Sequence, residues 1–178
     1  MKLFKVFIGF WLLIGLVFVT SLFFPREFKV ERSIVIEKPI FECYAYLNNI
    51  KNIAQLSPWD KSIDSTMHSF YSQQLTGKGA SYYFTGNLLG FGSLKINESI
   101  TNEKICTKLD LNGHEMSAST TFLFKGIGYN KTQLIWTDYK DVGYNPIYRF
   151  LIPSKEKETA LQFDEGLMKI RIAIMSFN

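Results

Sequence analysis

From Val6 to Phe24 the chain carries no charged side chain: VFIGFWLLIGLVFVTSLFF, 19 residues in a row. As a helix rising about 1.5 Å per residue, such a run is about 28 Å long, close to the thickness of a bilayer's hydrocarbon core. It is apolar on every face, so no side of it prefers water. Lys2 and Lys5 precede it, and Pro25 and Arg26 close it. Three readings compete. An uncleaved signal-anchor helix accounts best for the length. A cleaved secretory signal normally has a shorter core and a small-residue cleavage site, which only Val19-Thr20-Ser21 loosely offers. A buried core helix is the third. The expectation is a transmembrane anchor over residues 1–25 and one domain over 26–178. Lys2, Lys5 and the amino terminus are balanced by Arg26, Lys29 and Arg32. The reading taken is a single pass with the domain on the extracytoplasmic side.

About 154 residues follow the anchor, which suits one domain with a real core. The net charge is +4, with Lys and Arg scattered rather than clustered. That distribution gives no nucleic-acid footprint and at most a mild attraction to anionic lipid. Cys43 and Cys106 are far apart with no second pair, so neither a disulfide framework nor zinc spacing exists. Two buried thiols are the default, and a single bridge stays open for an exported domain.

Phe28, Val30, Ile34 and Ile36 alternate with Lys29, Glu31 and Ser33, which predicts a half-buried strand over 28–36. Arg32 falls on its apolar face. Pro39 opens a short helix over 39–47, and a second is expected from Ile50 to Leu56, stopped at Ser57-Pro58. From about Ser69 period-2 segments follow one another, joined by short Gly- and Asn-containing links. Such a series makes an antiparallel meander. Ala160, Phe163, Leu167, Ile170 and Ile174 then form a helical stripe, with Leu161, Met168, Ile172 and Met175 beside it. A final helix over about 157–175 is predicted, lying on the sheet, with Gly166 permitting a close approach.

Several local strings resemble one family. Val30-Glu31-Arg32-Ser33-Ile34-Val35-Ile36 is similar to the opening strand of the SRPBCC superfamily. Leu56-Ser57-Pro58-Trp59 is similar to its W-S-P-W corner, with Leu56 where tryptophan is usual. Gly77-Lys78-Gly79-Ala80-Ser81-Tyr82 resembles its G-x-G-A-x-Y hairpin, and Phe84 stands where tryptophan is common. Asp141-Val142-Gly143-Tyr144-Asn145-Pro146 resembles its loop before the last helix. The likeness covers about residues 28–150 and is greatest to membrane-anchored, polyketide cyclase/dehydrase-like bacterial members. It implies the α+β helix-grip fold of START and Bet v 1-like domains. There a curved antiparallel sheet, here of about 6–7 strands, grips a long C-terminal helix around a hydrophobic cavity.

Aromatic residues make up 16% of the chain, enough to line such a cavity or to fill it. The expected ligand-binding residues are Trp59, Tyr82, Phe84, Phe122, Phe124, Leu134 and Trp136. Glu98 shares a face with Leu94, Ile96 and Ile100. A buried carboxylate there would titrate high and could move a proton, so Glu98 is the one weak catalytic candidate. A structural ion pair explains Glu98 and Arg32 more simply. His68 and His114 have neither metal spacing nor triad partners. The glycines at 77 and 79 lack the rest of a phosphate loop. No cofactor or metal is expected. The leading function is a membrane-tethered binding module for a lipid, isoprenoid or polyketide-like molecule. A cyclase or dehydratase using a buried acid is one alternative. An accessory protein contacting a membrane partner is another.

Overall fold

The computed structural model describes residues 2–56, 64–112 and 114–176. Helix α1 covers Lys2–Ser21. Its apolar side chains from Val6 to Val19 stand exposed on all sides. Leu22–Phe24 continue the apolar run in a turn rather than in the helix. Among the described residues no helix is long and apolar enough to cross a membrane.

The domain runs β1 (Glu27–Ile36), α2 (Ile40–Leu47), α3 (Ile50–Ala54), β2 (His68–Tyr71), β3 (Ser81–Gly86), β4 (Gly90–Ile100), β5 (Lys104–Leu111), β6 (His114–Gly126), β7 (Thr132–Asp141) and α4 (Pro146–Ser176). All seven strands form one antiparallel sheet in the order β1-β7-β6-β5-β4-β3-β2. The first strand thus returns to pair with the last, and the meander between them is the expected one. Turns demanding a left-handed backbone use asparagine at Asn102 (φ 59°) and Asn112 (φ 56°), a residue that tolerates this conformation.

Helix α4 begins at Pro146, well before the expected start near residue 157. Its first turn is capped by Asn145, whose Oδ1 accepts from the amides of Ile147 (3.1 Å) and Tyr148 (3.4 Å). Pro153 sits inside the helix without ending it. The charged run Lys155-Glu156-Lys157-Glu158 therefore lies inside the helix, largely exposed. Helix α3 in turn stops at Ala54, two residues short of expectation.

Helix α4 lies along β1 in a fixed sense. Glu156 accepts from the Lys29 amide (3.1 Å), and farther on Asp164 meets Arg32 (3.4 Å). Arg32 thus occupies an inward position by reaching the helix, with both side chains still half in water. At mid-helix the Phe163 ring stacks on Trp136, centroids 4.2 Å apart and 18° from parallel. A Cβ at Gly166 would sit 2.6 Å from the Trp136 ring, so glycine is what lets this helix lie so close.

The sheet has two ends. At the far end, beyond Ile36 and Thr132, residues 127–131 turn from β6 to β7. Here Ile36, Phe124 and Leu134 are buried in the same core as Tyr44 of α2 and Ile170 and Ile174 of α4. At the other end Glu27 pairs with Asp141, and α1 joins the domain. The Arg26 guanidinium holds the Asp141 carboxylate through Nε and Nη2, keeping that carboxyl down at about 2. The buried Arg149 donates from Nε to Gly143 O (2.9 Å) and from Nη1 to Ser21 O (3.4 Å).

Candidate functional site

Register brings three polar side chains together on the inner face. Asp138 of β7 is opposite Thr120 of β6, and Thr120 is opposite Thr107 of β5. Side chains two apart on a strand share a face, so Asp138 stands on the same side as Leu134 and Trp136. Above this polar row, under α4, lies a hollow of about 250 Å³. Leu94, Leu109, Phe122, Trp136 and Phe163 supply apolar walls, and Gln162 and Thr159 reach in from the helix. The volume falls just below the range of roughly 300–1,000 Å³ usual for ligand sites. It suits a compact molecule or a single chain rather than a whole two-chain lipid.

Two polar atoms bordering this hollow, Trp136 Nε1 and Asp138 Oδ1, are buried without a hydrogen-bond partner among the described residues. Burial pushes the Asp138 carboxyl up to about 6, against a smaller pull downward from the Tyr139 amide, the Thr120 hydroxyl and Lys140. Removing water penalises the charged form of an acid, so near neutral pH this group exchanges its proton readily. It is the described carboxyl group best placed for acid–base work. Among the described residues no cluster of His, Cys, Asp and Glu could hold a metal ion.

Of the residues expected at the site, Phe122 and Trp136 border the hollow, their rings 5.0 Å apart. Tyr82, Phe84, Phe124 and Leu134 face inward and are buried in the same core, but they do not border the hollow. Trp59 lies outside the described residues. Glu98 is corrected: it is on the outer face, 2.7 Å from Lys104. The cause is a β-bulge between Ile96 and Glu98, an extra residue that swaps the faces of everything after it. Ser99 consequently points inward, bonded to Tyr44 (2.6 Å) and Asn48 (2.7 Å), while Ile100 is exposed. Cys43 and Cys106 are free thiols, and burial raises the Cys43 thiol. His68 is exposed on the edge strand β2.

Asp138, Thr107, Thr120 and Gln162 are the site residues that sequence reasoning passed over. Asp138 had a signal: one more step of the Leu134–Trp136 alternation lands on it. The two threonines sit on the same faces as Ile105 and Phe122, where they read as ordinary strand formers.

A second groove, about 280 Å³, lies at the α1 end of the sheet. Phe28, Val142, Tyr148, Leu151 and Ile152 line it, Lys140 and Lys155 flank it, and Thr159 borders both spaces.

Neither a family model nor a curated relative matches this sequence. Solved structures do. The chain is similar to the Aha1 dimer from Colwellia psychrerythraea at 15% identity and TM-score 0.54, covering 82% of this chain and 95% of that one. It is similar to Ara h 8.0201 at 11% identity and TM-score 0.53, covering 85% and 99%. It is also similar to the di-domain ARO/CYC BexL of the BE-7585A biosynthetic pathway at 11% identity and TM-score 0.53, covering 80% of this chain and 45% of BexL. The fold is the helix-grip fold of Bet v 1-like and polyketide-cyclase-type proteins. In this helix-grip domain the hollow lies between sheet and long helix, as the resemblance implied, and among the described residues it is lined by the half of the interior around Asp138.

Proposed function

We propose that the chain is a membrane-tethered binding protein for a compact hydrophobic molecule, held between the sheet and α4. The hollow carries this reading: apolar walls with a few converging polar groups are how proteins hold small apolar ligands. The Bet v 1-like and cyclase-type fold supports a ligand-binding role. Tethering is supported by the sequence: the 19-residue charge-free run includes Leu22–Phe24 beyond the last helical residue of α1. A tether keeps the hollow near the phase in which apolar ligands dissolve. The domain is taken to lie on the extracytoplasmic side.

A second reading is favoured by one observation. Asp138 is a carboxyl titrating near neutrality beside an apolar space, which is what a cyclase or dehydratase needs from a general acid or base. In that reading Asp138 takes the role first considered for Glu98.

Native mass spectrometry of the full chain, released from nanodiscs in the gas phase, tests the proposal. The expected result is a bound species of small mass at 1:1, recoverable by organic extraction and lost on Trp136→Ala. A chain that is always empty, with nothing extractable, would refute it. A bound species that Asp138→Asn leaves chemically altered would favour the enzyme.

A further inference from the structure

The joint between α1 and the domain is short and closely contacted. Only residues 22–26 separate Ser21 of α1 from Glu27 of β1, and they are pinned on several sides. The Phe24 ring packs on Phe150, centroids 4.6 Å apart. The Val142 amide donates to Arg26 O (3.1 Å), and the Arg26 side chain holds Asp141. Arg149 reaches Ser21 O, while both guanidiniums lie over the Tyr144 ring at 5.4 and 5.3 Å. Together these contacts hold the domain against the end of α1.

Around this joint the surface is apolar although it is exposed. Phe23 is 86% exposed, Ile147 67%, Tyr144 65% and Tyr148 58%, with Leu22 and Leu151 also open. Large apolar side chains left open on both elements that meet at this joint call for a covering partner. Tyrosine is enriched where membrane meets water, and two tyrosines belong to this set. Lys140 and Lys155 flank the groove opening here, suitably charged for lipid phosphates.

Resting on the tethered reading, we propose that the face made by Leu22, Phe23, Tyr144, Ile147, Tyr148 and Leu151 is seated in the interfacial layer of the bilayer beside α1. The occupant is lipid, because the start of α4 is held against the end of α1, where α1 leaves the hydrocarbon. The groove then opens to lipid rather than to bulk water. Thr159 is its shared border with the hollow, so an apolar molecule has a short route from bilayer to binding space.

The test uses the full chain in vesicles of brominated phosphatidylcholine, whose bromines quench nearby tryptophan. Ile147→Trp and Tyr129→Trp are each made in a Trp11→Phe chain, Tyr129 being fully exposed at the far end of the sheet. Carbonate washing reports separately on the tether. The expected result is a chain that stays with the vesicles, with the added signal of Ile147→Trp quenched at least twofold and that of Tyr129→Trp unaffected. A chain that stays while neither tryptophan is quenched would overturn the seating and leave the tether standing. Crosslinking through the same face to a second copy, without quenching, would overturn it in favour of an interface between copies. A chain that washes off would overturn the tethered reading itself, and the seating with it.

Discussion

Two halves of the same inner sheet face, under the same helix, are built in opposite ways. Toward the far end, Ile36, Phe124 and Leu134 are buried in continuous apolar core, with the Tyr44 ring edge-on to Phe124 at 5.7 Å. Toward the end that joins α1, the row Asp138–Thr120–Thr107 replaces aliphatic side chains, and the hollow opens above it. Two residues along β6 separate the regimes, since Phe124 is in the packed half and Phe122 borders the hollow. One half therefore supplies stability, and the other leaves space and polar groups for a guest. The helix serves both: Gly166 and Phe163 clamp it to Trp136, so the hollow exists without the helix lifting away.

Substitutions in the two halves sharpen this contrast. Phe124→Ala removes a buried core ring that does not border the hollow and should cost about 3–5 kcal/mol of unfolding free energy in denaturant titrations. Phe122→Ala deletes the same ring two residues away, where a void already lies alongside, and its cost should be smaller by at least about 1 kcal/mol. Equal costs would mean that the hollow does not soften its own wall.

A pH series isolates the Asp138 site by another route. Asp138 has a folded value near 6 against about 4 in the unfolded chain. The folded state therefore binds this proton more tightly, and stability falls as pH rises through the window from about 4 to 6. The loss is about 2–3 kcal/mol. Asp64 behaves oppositely. Its buried carboxylate is held down at about 2, first by the Thr66 hydroxyl and also by the amides of Leu88, Leu89 and Thr66. Its contribution is present above about pH 4 and disappears toward pH 2. Asp138→Asn should flatten the upper window and leave the lower one intact, which urea titrations at about pH 2, 4 and 7 would reveal. The smallest effect expected is at the clamp. Gly166→Ala gains about 1 kcal/mol of helix propensity but forces a methyl into the Trp136 ring, an overpacking cost of about 1–3 kcal/mol. A net loss of about 1 kcal/mol in melting experiments is the outcome; a net gain would mean that the helix can lift freely.

The packed half was legible in the sequence. Period-2 runs gave the strands, and the double stripe from Ala160 to Met175 gave the helix that covers them, down to the glycine that touches the sheet. The hollow half was legible only in part. Phe122 and Trp136 were found because aromatic residues announce themselves. Asp138 and the threonines were missed because an alternation argument looks for apolar residues and stops where they stop. Glu98 was misplaced because a bulge is one extra residue, invisible to a strict period of two, and it exchanges the faces beyond it. The early start of α4 was hidden by Pro153, which argues against a helix interior unless packing overrides it.

The central claim is that the space around Asp138 admits a guest. The most direct measurement is the binding isotherm of a fluorescent single-chain lipid analogue to the full chain in nanodiscs. It is run beside Thr120→Phe, which fills the hollow from its floor, with empty nanodiscs subtracted and unfolding midpoints confirming that both chains are folded. The account predicts saturable 1:1 binding by the unmodified chain and at least a tenfold loss in the filled variant. Binding that is absent, or that survives filling unchanged, would contradict it.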